Sequence, residues 1–409
     1  MAAGPPESRH HAADVSGRVV TAGGAGYHRS CGRGPAAVAS RPFPDAAVTE
    51  PMSLRSAGSG NPHGNPAGNV LTGAGIRSGE SVTLIVVNHN GGTLLRQCLE
   101  GVARQTCLPA RIVVVDNASR DDSVTVARRC VADDPVLADR VVWQELPQNV
   151  GFAAGNNRAI TGCETEFVAL LNPDAVPRPE WLAGLLAAAD RHPEAAAFGS
   201  RQMQSGSPDV LDGIGDILHI GGLAWRARHG CRIEAADLEE REIFSPCAAA
   251  ALYRRAAVVE VGGFDEDFFC YFEDVDLGYR LRLAGHRAVY VPDAVVEHVG
   301  GASAGGRSGA FAAYHGHRNL VWCFVKNTPL AVLPAALLAH SAQTMISGLI
   351  FVGRGQCGAW LAAKWHAVVG LAKMLRKRST IQRRRRASAA DIWRALDRRM
   401  LSSRHTRLP

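Results

Sequence analysis

Three short stretches of this chain carry side chains that could act together on one substrate. Phe269-Cys270-Tyr271-Phe272-Glu273-Asp274-Val275-Asp276-Leu277 sets three acids within four positions, beside four aromatic rings at 268, 269, 271 and 272. Asn172-Pro173-Asp174 supplies a carboxylate from a distant segment, and His298 follows Asp274 by 24 positions. Acids from two segments and an imidazole could hold one divalent cation and leave one carboxylate as a general base. That combination suits displacement at a carbon carrying a nucleoside diphosphate. The cation neutralises the leaving diphosphate, and the base takes the proton of an attacking hydroxyl. A hard cation needs few protein oxygens and keeps places for phosphate oxygens. Asp174, at a turn stiffened by Pro173, can be one of those oxygens. Crowding acids against aromatic rings raises the pKa of at least one of them. The structural alternative is a charged helix N-terminus, where each acid is favourable by roughly 0.3–1 kcal/mol. Asn-Pro-Asp is likewise common turn chemistry, and a lone histidine among fifteen is more often structural.

Something must carry these groups to one place. From Val82 the chain alternates β-rich apolar runs with helical patterns. Strands are expected at 82–87, 111–115, 141–146 and 167–171, with helices at 93–104, 121–132 and 151–162 between them. Short connections between alternating elements predict a mostly parallel, doubly wound, Rossmann-like α/β sheet. Ligands of such sheets sit beyond the carboxyl ends of the strands. Asn88, Asp116 with Asn117, and Asn172 to Asp174 all fall at those ends. Asp116 could accept hydrogen bonds from a ribose hydroxyl or a base N–H, although an Asx residue before Asn117-Ala118-Ser119 also suits a plain cap. Further on, the pattern predicts a helix at 178–191, a strand at 195–200 and an irregular, substrate-facing insertion over 203–243. A strand at 244–253, a helix at 274–284 and an edge strand at 288–291 follow. Gly300–Gly309, with Arg307, has the composition of a mobile lid.

Four regions are expected. Residues 1–79 are rich in Gly, Pro, Ala and Ser without a period and read as a disordered extension, with Met52 a candidate start. Residues 80–328 form the catalytic domain. Residues 329–375 hold a 24-residue apolar run, 329–352, interrupted by His340, Ser341, Gln343, Thr344 and Ser347, then a stretch bearing Trp360 and Trp365; membrane-associated helices are expected there. Residues 376–409 form a basic tail with a short amphipathic helix. Most of the net charge of +7 lies between Lys364 and Arg386, which points to an anionic membrane surface rather than nucleic acid. The ten cysteines show no CxxC pair, as expected for reduced thiols in a cytoplasmic protein at the inner membrane face.

Beyond these patterns, the strings Val86-Val87-Asn88-His89-Asn90, Val115-Asp116-Asn117-Ala118-Ser119, Asn149-Val150-Gly151-Phe152, Leu171-Asn172-Pro173-Asp174, Gly262-Gly263-Phe264-Asp265, Phe272-Glu273-Asp274-Val275-Asp276 and His317-Arg318-Asn319 occur in a telling order. Over about residues 82–328 the chain resembles the inverting family-2 glycosyltransferases, more narrowly their rhamnosyltransferase-like branch. The resemblance implies a GT-A fold, a nucleotide-diphosphate sugar donor (dTDP-rhamnose or a UDP-sugar), Mg²⁺ or Mn²⁺, and a glycan or polyprenyl-linked acceptor in cell-surface polysaccharide synthesis. It further implies Asp274 as catalytic base with Glu273 as runner-up. Asp116 would contact the donor nucleoside, with Asn88, Asn117 and Asn172 on the donor side. Asp174 and His298 would hold the metal, and Arg318 would touch the diphosphate or lid. Asn172 stands where the first acid of the metal motif would be. The alternatives are a catalytically inactive nucleotide-sugar-binding protein and a UDP-hexose-specific transferase of the same family.

Overall fold

The structure is a computed structural model and describes residues 78–300, 309–355 and 357–399. The expected N-terminal extension lies almost wholly outside the described residues, and so does nearly all of the expected lid with Arg307.

In chain order the elements are β1 (Val82–Asn88), α1 (Leu94–Ala103), β2 (Arg111–Asp116), α2 (Ser123–Asp133), α3 (Pro135–Ala138), β3 (Val141–Glu145), α4 (Gly151–Thr161), β4 (Phe167–Leu171), β5 (Ala175–Pro177), α5 (Trp181–Arg191) and β6 (Ala195–Gln204). Then come β7 (Leu211–Gly213), β8 (Asp216–Leu218), β9 (Ala224–Arg226), β10 (Arg241–Glu242), β11 (Ala250–Arg254), α6 (Arg255–Glu260), α7 (Glu273–Leu283) and β12 (Arg287–His298). The chain continues through α8 (Ala310–Asn327), α9 (Leu333–Gly353), α10 (Cys357–Val369), α11 (Leu371–Arg384) and α12 (Ala389–Ala395). The main sheet runs β10-β12-β6-β11-β4-β1-β2-β3, with β5 beside β12 and β7 beside β6. β1 pairs in parallel with β2 and β4, β2 with β3, and β6 with β12, while β11 is antiparallel to both its neighbours. This is the mostly parallel α/β sheet of the GT-A type that the sequence predicts.

Both faces of the sheet are covered, which explains why β1 is a continuous apolar run with every residue buried. Its alternation sends Ile85 and Val87 to one face, with Val113, Val115 and Ile160 of α4. Leu84 and Val86 face the other way, onto Leu95 and Leu99 of α1 and Leu185 of α5. A third apolar cluster joins Phe268, Val275 and Tyr279 to Trp322 of α8, Met374 of α11 and Ile392 of α12, so the C-terminal helices pack on the sheet domain.

Several expected boundaries move. The segment expected to be irregular over 203–243 holds the end of β6, the strand β7, the β8–β9 hairpin and β10. Those strands are two or three residues long, too short for an alternation to show. The strand expected at 244–253 is confined to Ala250–Arg254. The strand expected at the edge over 288–291 is instead a 12-residue inner strand, β12, flanked by β10 and β6. Its course is broken by a bulge between Val291 and Val295, around Pro292, and this hides its length in the sequence. His298, expected just past a strand, is the last residue of β12.

Candidate functional site

A cleft of about 560 Å³ opens beyond the carboxyl ends of β1, β2 and β4. At one end it is lined by His89, Asn117, Asn149 and Phe152, at the centre by Asn172, Asp174 and His298, and on the far wall by Glu273, Asp274, Asp216, Trp225 and Arg226.

The centre is assembled by backbone pairing. β5 follows Asp174 immediately and pairs with the end of β12, matching Ala175 to His298. Val299 N donates to Asp174 O at 3.0 Å. Asp174 Oδ1 therefore lies 3.3 Å from His298 Nε2 although 124 positions separate the two residues. Burial favours the neutral acid, but the facing imidazole outweighs it and holds the Asp174 carboxyl below its ordinary range.

Asp274 arrives by a different route. Phe269, Tyr271 and Phe272 all have positive φ, at 65°, 65° and 71°. Such backbone costs of order 1–3 kcal/mol per residue and persists only where its surroundings impose it. Here two helices do so. From α8, the buried Asn319 Nδ2 donates to the carbonyls of Phe268, Cys270 and Tyr271, and Arg318 donates to those of Asp267 and Phe268. From α4, Ala153 N donates to Phe269 O at 3.1 Å. Gly151, at φ +85°, leaves room for that loop, since a Cβ there would meet Phe269 O at 2.5 Å.

The three acids that follow have separate fates. Asp276 is wholly buried and is consumed by Arg280, Lys326 and Asn327. Glu273 is buried, and burial together with the neighbouring Asp274 charge raises its carboxyl well above the ordinary range. Asp274 stays half-exposed in the cleft. Its Oδ2 accepts from Ala248 N at 3.2 Å and its Oδ1 from Val275 N at 2.8 Å, which fixes the carboxylate plane.

Of the residues named from sequence, the cleft therefore brings together Asn117, Asn172, Asp174, Glu273, Asp274 and His298. Asn117 also pins the start of α4, accepting from Val150 N and donating to Gly151 O. Three others stand outside the lining. Asn88 is fully buried and bonds Ser119 and Ser123, which ties the β1 turn to α2. Asp116 is half-buried at the rim, where its carboxylate caps Ser119 N at 3.1 Å. Arg318 donates to the backbone carbonyls of Asp267 and Phe268 and stacks on Trp322. Sequence reasoning missed Asp212, Asp216, Trp225 and Arg226. Asp216 is buried, accepts from Ser245 Oγ, and is raised by burial and by Asp274. These residues come from the hairpin segment that carries no legible period.

Four cleft residues keep a buried polar atom without a hydrogen-bond partner: Asn172 Oδ1, Trp225 Nε1, Glu273 Oε2 and His298 Nε2. These four are open hydrogen-bonding positions that a ligand in the cleft can fill. Among the described residues no group of three or more His, Cys, Asp or Glu side chains is arranged to hold a metal ion. The orphaned His298 Nε2 facing a depressed carboxylate is nevertheless a two-ligand set that fits a divalent cation, the rest of its shell coming from phosphate oxygens and water.

A polar cleft at the carboxyl rim of an open α/β sheet, with carboxylates from three segments, stands where such sheets bind their ligands. Residues 79–316 match the family described as glycosyltransferase like family 2, and the chain belongs to it. It is 30% identical over 242 residues to an N-acetylglucosaminyl-diphospho-decaprenol L-rhamnosyltransferase of Mycobacterium tuberculosis, covering 53% of this chain and 75% of that one. It is 29% identical over 288 residues to a pre-mycofactocin glycosyltransferase of the same organism, covering 66% of this chain and 54% of that one. Among solved structures it is similar to residues 1–349 of S. aureus TarS in complex with UDP-GlcNAc, with a TM-score of 0.47, 16% identity, and 74% and 89% of the two chains covered.

Proposed function

We propose that this glycosyltransferase catalyses a single inverting displacement, moving a sugar from a nucleoside-diphosphate donor to a hydroxyl of a polyprenyl-linked glycan. The observation that carries the reading is the meeting of Asp274 with Asp174 and His298 in one cleft. The nucleoside lies at the Asn117 and Asn149 end, with Asp116 at its rim. Asp174 and His298 would hold Mg²⁺ or Mn²⁺, which when bound would neutralise charge on the diphosphate. Asp274, fixed by Ala248 N and Val275 N, accepts the acceptor's proton as its oxygen attacks the anomeric carbon from the face opposite the diphosphate. Glu273 sits behind it, buried, its carboxyl raised by burial and by the Asp274 charge. Rhamnose is the favoured sugar, supported by the rhamnosyltransferase among the relatives, whose name also carries a diphospho-decaprenol acceptor.

A helical region after residue 328 holds the site against an anionic membrane at its cytoplasmic face. α9 is long and apolar enough to cross a membrane by length and composition. It is also docked, through His340 Nδ1 2.8 Å from Gly221 O and through stacking on Phe324, which supports a helix lying on the surface. Leu338, Leu349 and Trp365 are 77%, 75% and 67% exposed on α9 and α10, and Arg376, Arg383 and Arg384 of α11 are exposed cations.

The test is Asp274→Asn assayed with a panel of dTDP- and UDP-sugars and Mn²⁺. Transfer falls by about 10²–10⁴-fold while donor-induced thermal stabilisation survives. Normal turnover by this variant overturns the assignment. Donor stabilisation in the wild type without any transfer to polyprenyl-linked acceptors would favour a binding protein instead.

A further inference from the structure

His298 is 3% exposed and both its ring nitrogens face carboxylates. Nδ1 lies 2.8 Å from Asp212 Oδ2, and Nε2 lies 3.3 Å from Asp174 Oδ1 outside hydrogen-bonding geometry. Asp212, in β7, is itself buried and held on two further sides. Arg226 from β9 donates to its Oδ2, and His229 Nδ1 lies 2.8 Å from its backbone oxygen and 3.3 Å from Oδ1. The Arg226 guanidinium also comes within 3.5 Å of His298 Nδ1, but the shorter Asp212 contact decides the proton's place. A carboxylate only accepts, so a 2.8 Å contact requires the hydrogen on Nδ1. When the ring is neutral, as a metal ligand must be, its lone pair belongs to Nε2, the orphaned atom beside Asp174, where one cation can be shared by both groups.

We propose that Asp212 is a positioning residue for the cation site: it sets the tautomer and ring plane of His298 so that Nε2 offers its lone pair next to Asp174. The proposal rests on the metal reading above and adds a residue that touches neither donor nor acceptor. Partners of this kind orient a ligating histidine and typically change metal affinity by 10–100-fold when removed. It also explains why three acidic or imidazole groups converge here without forming a three-ligand site. Asp212 is engaged by the ring and by Arg226.

The variant Asp212→Ala tests it. Arg226 and His298 Nδ1 both reach the same oxygen, Oδ2, so Asp212→Asn can keep its amide oxygen there and serve both, whereas alanine removes the acceptor altogether. Without that acceptor nothing holds the hydrogen on Nδ1 or the ring plane, and the lone pair of Nε2 is no longer fixed toward Asp174. Full-length protein is titrated with Mn²⁺, alone and with UDP or dTDP, while free Mn²⁺ is read by electron paramagnetic resonance. The expected result is a Kd for Mn²⁺ raised by roughly 10–100-fold, with the metal-free circular dichroism retained. Unchanged Mn²⁺ affinity in Asp212→Ala, beside a loss in His298→Ala, overturns the proposal. Unchanged affinity in both Asp174→Asn and His298→Ala removes the metal reading itself, and the proposal with it. ¹⁵N-labelled histidine spectra of the metal-free wild type give a check that needs no variant. A neutral His298 ring protonated at Nε2 alone is incompatible with the role assigned to Asp212.

Discussion

The side-chain nitrogen of Asn319 lies 2.7 Å from the carbonyl oxygen of Tyr271, two residues before the first acid of α7. The same nitrogen serves Phe268 O and Cys270 O at 2.9 Å each. One amide thus satisfies the carbonyls of a loop that three positive-φ residues would otherwise abandon. Asn319→Ala takes this donor from the Cys270 and Tyr271 carbonyls, while Phe268 O keeps Arg318 and Cys270 N, a loss of about 1–3 kcal/mol in urea unfolding. The loop then relaxes and moves Asp274, and kcat falls by about 10²-fold with the donor KM nearly unchanged. Asn319→Asp, which cannot donate in its ionised form, is worse than alanine on both measures. A variant that loses stability but keeps kcat would show that the loop holds its shape without this residue.

Glu273 makes folding sensitive to alkali. Burial, then the Asp274 charge, raises its carboxyl above the ordinary value. A carboxyl with a raised folded pKa stabilises the protein below its unfolded value of about 4.3, and that contribution is lost as pH climbs toward the folded pKa. Glu273→Gln fixes the neutral form. Its melting temperature exceeds that of the wild type increasingly as pH rises above about 4.3, and the gap closes below that. A gap independent of pH would mean that Glu273 ionises freely in the fold.

Lys326 is 1% exposed and bridges Asp265 and Asp276, with its ammonium over the Phe268 ring. Lys326→Met keeps the volume but removes one of two cations at each buried carboxylate, Asp265 keeping Lys377 and Asp276 keeping Arg280. The expected loss is about 1.5–3 kcal/mol in urea unfolding at pH 7. Adding Asp276→Asn to that variant recovers part of it.

Membrane docking is tested by charge on the apolar face. Leu338→Glu with Leu349→Glu, or Trp365→Glu alone, lowers binding to phosphatidylglycerol vesicles in flotation by about 10-fold or more, since each removes about 1.5–3 kcal/mol of burial. The melting temperature is nearly unchanged, because these side chains are exposed. Wild-type binding that ignores both substitutions and salt would refute the surface role.

The sheet was legible because its strands are apolar runs and its helices have clear periods. The acids of α7, Asp174 and His298 were legible because each sits at the end or start of such an element. Asn88 was placed in the site by its position at a strand end and Arg318 by its motif, and neither says which way a side chain turns. Both turn to the protein's own hydroxyls and carbonyls. Asp212, Asp216, Trp225 and Arg226 escaped notice because they belong to strands of three residues, too short for an alternation to show. No local pattern announces a contact between residues 86 positions apart, as Asp212 and His298 are. The Arg383–Arg386 region looked like a free basic tail, yet α11 is folded onto α8 and Lys373 and Lys377 bind Asp265 and Asp267. Paired cations cannot be told from unpaired ones by counting charge.

β12 joins two functions end to end: Tyr290 and Val291 belong to the core, and His298 to the cleft. Between them the register against β6 jumps, with Val291 opposite Ser200 and Val295 opposite Arg201. Successive strand residues point to opposite faces, so the number of residues in that jump decides whether the imidazole looks toward Asp174 or away from it. The length of the 292–294 segment is thus under a parity rule. Losing or gaining one residue there would leave every side chain of the cleft encoded and yet aim its histidine at the wrong side of the sheet.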